Sequence, residues 1–139
     1  AYTLHCGLQN PHAVRESLAN DIFRIAGNRV RVVSPDVGGG FGLKEAAFPE
    51  YVLTLVGAKL TGRPVLWAAD RGESFLSDFH ARDAHATTTL GLDEKGHFLA
   101  LKVETTANIG AYISPMGLHV PTNNLGGLAG VYRTPHIHS

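Results

Sequence analysis

The residues most suited to chemistry form a glycine-rich loop within the first third of the chain. Between Asp36 and Lys44, four glycines surround one large apolar residue, Phe41. Such a run predicts left-handed backbone or the close approach of another group, because glycine alone tolerates both. The valine-rich run of residues 30–33 precedes the loop and an apolar segment follows it, so a strand leads into a helix here. Backbone N–H groups are free at such a junction and can bind an anion or an oxo group.

Composition alone leaves two interpretations of this loop open. A tight strand-to-helix turn without any ligand accounts for the glycines as well as a binding loop does. Phe41 favours the binding loop. We expect its ring to be held rigidly by packing, and the neighbouring N–H groups would then point toward one place.

Ordinary nucleotide and metal motifs do not account for the loop. A dinucleotide fingerprint needs a glycine where this chain has Leu43 or Glu45, and a P-loop needs Gly-Lys-Ser/Thr around Lys44. The eight histidines lack the spacing of metal ligands, and Cys6 is best explained as a small buried apolar residue. No nucleophile–base pair follows from spacing, so we assign no metal ligand and no catalytic residue.

The elements before the loop predict how it is positioned. Residues 1–6 form a short strand, and Asn10 with Pro11 begins a helix as N-cap and first helical residue. Gly27 is expected to end that helix, and residues 29–34 form the second strand. The apolar stripe of the helix is formed by Val14, Leu18 and Ile22.

A second helix follows the loop. Pro49 is expected in its first turn, and Gly62 with Pro64 ends it. Its apolar stripe is formed by Phe48, Val52, Leu55, Val56 and Leu60. Residues 65–69 then form a continuous apolar run, which predicts a strand buried on both faces.

The second half of the chain predicts a long β-hairpin. Apolar residues alternate from Arg82 onward, on both sides of a turn at Asp93–Gly96. The Gly-, Pro- and Asn-rich stretch from Gly110 to Gly130 predicts an irregular loop, and a last strand is expected near Tyr132–Ile137. This order predicts an α+β fold, with a mixed sheet, two main helices and a long β-hairpin.

Composition excludes several classes of protein. The 139 residues, 44% of them hydrophobic and 17% charged with zero formal net charge, suit a single domain over residues 1–139. There is no basic excess for nucleic acid and no apolar run long enough for a membrane span. One cysteine and the lack of a signal segment favour a cytoplasmic location. The chain starts with Ala1 rather than Met and ends in mid-pattern at Pro135–Ser139, so we expect a fragment of a longer subunit.

The loop Gly38–Gly42 followed by Lys44 resembles that of the molybdenum hydroxylases. This family includes xanthine dehydrogenases, aldehyde oxidases and aerobic carbon-monoxide dehydrogenases. Further segments resemble the family in the same order along nearly the whole chain: Gln9–His12, Pro49–Glu50, Gly62–Val65, Asp70–Phe75, Ala107–Tyr112 and Tyr132–Pro135. The chain is most similar to bacterial large subunits of the carbon-monoxide-dehydrogenase type.

The resemblance implies part of a molybdopterin-binding domain. The cofactor would be molybdopterin with molybdenum, with the cytosine dinucleotide form as one option. Oxygen derived from water would be transferred to a carbon centre of an aldehyde, an N-heterocycle or carbon monoxide. Electrons would pass to iron–sulfur centres and FAD on partner domains or subunits.

The resemblance also implies roles for individual residues. Gln9 would lie near the metal and donate from its NH₂ group to an oxo ligand, while the scaffold holds its carbonyl. Gly40, Phe41 and Gly42 would bind the cofactor, with the N–H groups of Phe41 and Gly42 facing it. Glu45 occupies the position of a substrate-orienting carboxylate in purine-oxidising members. A first-turn glutamate favoured by the helix dipole explains Glu45 equally well.

Other parts of the family pattern are missing from this chain. The general-base glutamate and the arginine and cysteine loops lie on later segments, so the resemblance implies that the fragment has no catalytic residue and is inactive alone. Its partners would be the remainder of the large subunit, iron–sulfur and flavin subunits and a small-molecule substrate. The alternative is a non-catalytic assembly module without cofactor contact, with Gly117–Gly130 as its surface.

Overall fold

The structure, a computed structural model, describes residues 1–79, 83–114, 116–123 and 125–139. The chain divides into two compact units, Ala1–Phe79 and His80–Ser139. The assignment of residues 1–139 to a single domain stays a prediction. Within the described ranges, no helix has both the length and the apolar character needed to cross a membrane.

Two parallel strands form the sheet of the first unit. Strand β1 spans Tyr2–His5 and β2 spans Val30–Val33. They pair in register from Tyr2 opposite Val30 to His5 opposite Val33. Both strands confirm the sequence prediction.

Helix α1, Pro11–Glu16, connects the two strands. The Asn10 side chain accepts a hydrogen bond from the Ala13 backbone N–H at 3.1 Å, and proline stands in the first turn, as predicted. Helical turns continue through Ser17–Ile22 in the wider π geometry. The prediction of a helix end at Gly27 is wrong, because Arg24 adopts a left-handed conformation with φ of 53° that a right-handed helix cannot continue.

The core of the first unit lies between α1, its π extension, the two strands and helix α2, Pro49–Thr61. Its buried residues are Leu4, Leu8, Val14, Leu18, Ala19, Val30 and Leu55. Val14 on α1 and Leu18 on its π extension confirm the start of the predicted stripe, whereas Ile22 is 41% exposed. The π geometry explains the difference, because wider turns rotate later residues away from an i, i+4 stripe.

Helix α2 begins and ends where the sequence predicts. Pro49 occupies the first turn, and Gly62 ends the helix in a left-handed conformation with φ of 64°. Leu55 is buried at the middle of the predicted stripe, but Leu60 is 81% exposed. Only part of the predicted apolar stripe therefore packs on the core.

The predicted strand at residues 65–69 is wrong. The segment has no regular secondary structure, and Leu66 is 91% exposed. A strand needs a hydrogen-bonded neighbour as well as apolar side chains, and no described strand pairs with this segment.

Helix α3, Arg71–Ser77, follows directly and was not predicted. Asp70 accepts from the Glu73 backbone N–H at 2.8 Å, and the Glu73 carboxylate accepts from the Asp70 N–H at 2.9 Å. This reciprocal pair is a capping box, and its Asp-x-x-Glu spacing is visible in the sequence.

The second unit contains the predicted hairpin. Strand β3, Ala84–Leu92, pairs antiparallel with β4, Phe98–Ala107. The turn includes Asp93–Gly96, as predicted, and the register shifts between Gly91 and Leu92. Arg82, the predicted start, lies outside the described residues.

A third strand completes this sheet. Strand β5, His136–His138, runs parallel to β4, so the sheet is mixed, as predicted. The predicted irregular stretch contains helix α4, His119–Thr122, and a 3₁₀ turn at Leu125–Gly127. The α+β fold class is confirmed, with the strands divided between two sheets.

Candidate functional site

The parallel pairing of β1 and β2 brings the two predicted site segments together. Gln9 follows the carboxyl end of β1, and the glycine loop follows the carboxyl end of β2. Because the strands are parallel, these ends meet at the same edge of the sheet, where open α/β sheets commonly bind ligands.

Hydrogen bonds beyond the strands hold the two segments side by side. The Cys6 backbone N–H donates to the Val33 carbonyl at 3.1 Å. The Ser34 hydroxyl accepts from the Leu8 N–H at 2.9 Å and donates to the Leu8 carbonyl at 3.2 Å. The start of the glycine loop is therefore fixed against the residue that precedes Gln9.

Gln9 bridges to the far end of the loop. Its backbone N–H donates to the Lys44 carbonyl at 2.9 Å. Its side-chain Oε1 accepts from the Gly42 N–H at 2.9 Å and from the Lys44 N–H at 3.2 Å. One glutamine thus satisfies three backbone groups of a loop that has no regular ladder of its own.

Glu45 joins the same network. The Gln9 Nε2 donates to the Glu45 Oε1 at 3.1 Å, so the carboxylate lies against the glutamine amide. Glu45 sits in a 3₁₀ turn, Leu43–Glu45, which follows the left-handed Gly42. Spacing did not predict this contact, because the two residues are 36 positions apart.

Two kinds of constraint explain three of the four loop glycines. Gly39 and Gly42 have φ of 108° and 89°, in the left-handed region that favours glycine. Gly40 lies against the Gln9 side chain, and a Cβ there would overlap Gln9 Oε1, Cδ and Cγ. The close approach predicted for the glycine run therefore comes, at Gly40, from Gln9.

The expectation that packing holds Phe41 rigid is wrong. The residue is 98% exposed. Its backbone is left-handed, with φ of 54°, a conformation that is rare for a bulky residue. The ring is folded back over Gly39, where a Cβ would lie 2.6 Å from Phe41 Cε2. Local backbone geometry, and not core packing, sets the position of Phe41.

A titratable pair, Tyr51 and Cys6, takes no part in the hydrogen bonds of Gln9. Burial raises the pKa of Tyr51 far above its ordinary value of 10.0, and a hydrogen bond with Cys6 adds to the shift, so the phenol stays protonated at neutral pH. Cys6 is only half-buried. Among the described residues, no three His, Cys, Asp or Glu side chains are close enough to hold a metal ion.

A cavity of about 380 Å³ lies elsewhere in the first unit, at the amino end of β1. Tyr2, Thr3 and Ile25 contribute to its wall, with Arg29 and Lys59. Gln9 and the glycine loop lie beyond the carboxyl end of the same strand, so this cavity is separate from the candidate site.

Comparison with known proteins decides what kind of domain carries this loop. Residues 1–139 match the family model described as the molybdopterin cofactor-binding domain. The chain belongs to this family.

Relatives of the molybdopterin-binding domain family agree with that match. The carbon monoxide dehydrogenase large chain of Hydrogenophaga pseudoflava is 36% identical over 140 residues, which cover 98% of this chain and 17% of that protein. The 6-hydroxypseudooxynicotine dehydrogenase complex subunit gamma of Paenarthrobacter nicotinovorans is 37% identical over 106 residues, covering 76% of this chain and 13% of the relative. The chain therefore spans less than a fifth of the relatives' length.

A solved structure supports the fold. Quinoline 2-oxidoreductase from Pseudomonas putida 86 matches 97% of this chain and 17% of its own chain, with a TM-score of 0.84 and 35% identity. The predicted membership in the molybdenum hydroxylases is confirmed at the level of this domain.

The donor set at the loop fits a group that presents oxygen acceptors. The Gly42 N–H, which the resemblance directs at the cofactor, donates instead to Gln9 Oε1 at 2.9 Å. The N–H groups of Gly40 and Phe41 donate to no other described residue. Gln9 Nε2 carries two N–H bonds, and Glu45 is its one described acceptor. Three neutral N–H groups at the loop are thus available: those of Gly40 and Phe41 and the second N–H of Gln9 Nε2. Such donors suit an oxo group or another oxygen of a molybdopterin cofactor.

Sequence reasoning missed two residues of this network. Ser34 and Lys44 act through a hydroxyl and a backbone carbonyl and N–H, and neither residue type signals such a role by spacing. Both contacts depend on the parallel pairing of β1 with β2. The structure brings Gln9, Gly40, Gly42 and Glu45 together and leaves the Phe41 ring exposed.

Proposed function

We propose that this chain forms one wall of the molybdenum-cofactor site in the large subunit of a molybdenum hydroxylase. The observation that carries the proposal is the Gln9 side chain lying on the glycine loop, with its carbonyl held by the Gly42 and Lys44 N–H groups. This arrangement places the amide nitrogen against Glu45 Oε1 and leaves its second N–H available to a cofactor oxygen.

The residues of the loop would bind and orient the group. The N–H groups of Gly40 and Phe41 are the backbone donors available to it, and Gly42 supplies the turn that presents them. Fixed neutral donors stabilise negative charge on oxygen without first having to reorganise. When bound, the cofactor supplies oxidation of a carbon centre with oxygen derived from water.

The substrate class and the partners rest on the family. The carbon centre belongs to an aldehyde, an N-heterocycle or carbon monoxide, and the cofactor is molybdopterin, with the cytosine dinucleotide form as one option. Iron–sulfur and flavin subunits accept the electrons in the cytoplasm. The printed names "large chain" and "complex subunit gamma" belong to relatives of this domain and support a multi-subunit enzyme.

The test is Gln9→Ala in the full-length enzyme. We expect turnover to fall by about 100-fold, the size of effect seen when one donor to developing charge is removed. The free energy of unfolding is expected to fall by only about 1 kcal/mol, because the Gln9 side chain is exposed and water replaces most of its bonds. Turnover, molybdenum content and thermal unfolding are measured together.

Asn28→Ala is the matched control, since it removes another exposed side-chain amide of the same unit. It should leave all three measurements unchanged. If the loss of turnover in Gln9→Ala were matched by an equally large loss in the free energy of unfolding, the proposal would be contradicted and Gln9 would have a structural role.

The second candidate is an assembly module without cofactor contact. Leu118 and Leu125, in the Gly117–Gly130 stretch, are about half exposed, at 51% and 52%. Exposed apolar residues of this kind favour contact with another surface. Under this candidate, Gln9→Ala would leave both molybdenum content and turnover unchanged, so the same experiment separates the two.

A further inference from the structure

The Gln9 amide is oriented by three contacts of defined polarity. Its oxygen faces two N–H donors, those of Gly42 and Lys44, and its nitrogen faces a carboxylate oxygen of Glu45. Reversing the amide would place NH₂ against both N–H groups and oxygen against oxygen. All three hydrogen bonds would be lost, so the contacts select one orientation.

The two sides of the amide are not equivalent. The oxygen side is held by backbone groups, which every sequence supplies. The nitrogen side is held by one side chain, Glu45, whose carboxylate accepts only. The Glu45 carboxylate therefore disfavours an amide with its oxygen on the Glu45 side. In the observed orientation, one of the two Gln9 Nε2–H groups has no described acceptor.

We infer that Glu45 is a positioning residue, which fixes the Gln9 amide so that its second N–H is presented to the cofactor oxygen. This inference rests on the proposed function only for the identity of that oxygen. The orientation itself is a property of the chain without cofactor. Glu45 Oε1 is engaged with Gln9, so this role differs from direct orientation of the substrate by the carboxylate.

The first test needs no cofactor. In the cofactor-free full-length subunit, hydrogen exchange is followed by mass spectrometry in peptides that cover residues 36–46. Glu45→Ala should raise exchange at the Gly42 and Lys44 amides about tenfold, because the amide of Gln9 then rotates away from them. Glu45→Gln retains an acceptor oxygen at the same reach and should restore slow exchange. Glu94→Ala, which removes an exposed carboxylate of the hairpin turn, should have no effect.

The second test separates positioning from substrate binding in the loaded enzyme. A positioning role predicts that Glu45→Ala lowers kcat about tenfold with KM unchanged, and that Glu45→Gln restores most of kcat. A substrate-orienting carboxylate would instead raise KM in both variants. If Glu45→Ala does not fold, Glu45→Leu removes the acceptor while retaining side-chain volume and takes its place.

The outcomes distinguish this inference from the proposed function. Unchanged loop exchange in Glu45→Ala, or a rise in KM that Glu45→Gln fails to reverse, overturns the positioning role and leaves the proposed function standing. Unchanged turnover and molybdenum content in Gln9→Ala overturns the proposed function. Faster loop exchange in Glu45→Ala would still support the fixed orientation of Gln9.

Discussion

Single residues at the loop act mainly through Gln9. A glutamine side chain can replace several backbone contacts because it carries an acceptor and a donor at the end of a flexible stem. Here the acceptor faces Gly42 and Lys44, and the donor faces Glu45. The sequence predicts Gln9 and the glycines as site residues only through the family resemblance, since an isolated glutamine and a glycine turn have ordinary explanations.

Gly40→Ala should displace Gln9 without unfolding the domain. The new Cβ would overlap the end of the Gln9 side chain, which can rotate away at the cost of its bonds to Gly42 and Lys44. We expect a loss of about 1 kcal/mol in the free energy of unfolding, together with faster exchange of those two amides. Denaturant unfolding and hydrogen exchange of the full-length subunit measure both.

Gly38→Ala is the control for that substitution, because a Cβ at Gly38 meets no atom within 4 Å and its φ is not positive. It should leave loop exchange unchanged. Equal exchange in the two alanine variants would show that Gly40 does not hold Gln9 in place.

At the scale of elements, local signals predict most helix ends, although Gly27 does not end the first helical segment. The Asn10 cap, the proline at the start of α2 and its Gly62 end depend on a few neighbouring residues, and all three predictions are confirmed. The strand predicted at residues 65–69 depends on a distant partner and does not form. Helix α3 needs no distant partner to begin, because the capping box at its start is formed by residues three positions apart.

The hairpin turn should loosen in acid. The pKa of Asp93 is lowered from 3.8, first by the hydrogen bond from His97 and then by backbone N–H groups. A lowered folded-state pKa means that this stabilisation is present above the unfolded-state pKa and is lost as the pH falls through the folded-state value. Protection of the Lys95 and His97 amides, which donate to Asp93 Oδ1, should therefore fall in that acidic range.

Asp93→Ala provides the comparison. Hydrogen exchange, corrected for intrinsic rates, should be faster in the variant than in wild type at about pH 5, and the two should converge toward about pH 2. Glu94→Ala, at the neighbouring exposed carboxylate, should behave as wild type. A difference between Asp93→Ala and wild type that stays constant with pH would contradict the assignment.

At the scale of the whole molecule, the chain covers a small part of the length of its relatives. It spans 17% of the Hydrogenophaga large chain, and the family resemblance places the general-base glutamate on a later segment. A general base must lie within hydrogen-bond reach of the proton that it removes. Large apolar side chains such as Leu66, Leu76 and Val131 are about nine-tenths exposed.

The isolated chain should therefore fail to oxidise aldehydes, purines or carbon monoxide, even when cofactor is supplied. The rate at which the isolated chain reduces an electron-accepting dye in the presence of substrate, compared with the rate of the full-length enzyme, measures this activity. Molybdenum-dependent turnover by residues 1–139 alone would show that the acid–base groups lie within the chain.

We also expect the isolated chain to self-associate through its exposed apolar residues, which light scattering would detect.

The sequence by itself determined the family, the main helices, the hairpin and the glycine loop, because caps, periodicity and motif order are local properties of the chain. Tertiary structure decided which groups meet. The parallel pairing of β1 and β2 brings Gln9 within 3.1 Å of Glu45, across 36 positions that carry no periodic signal. It also decided that the Phe41 ring is exposed, because the left-handed backbone at Phe41 folds the ring over Gly39 and away from the core.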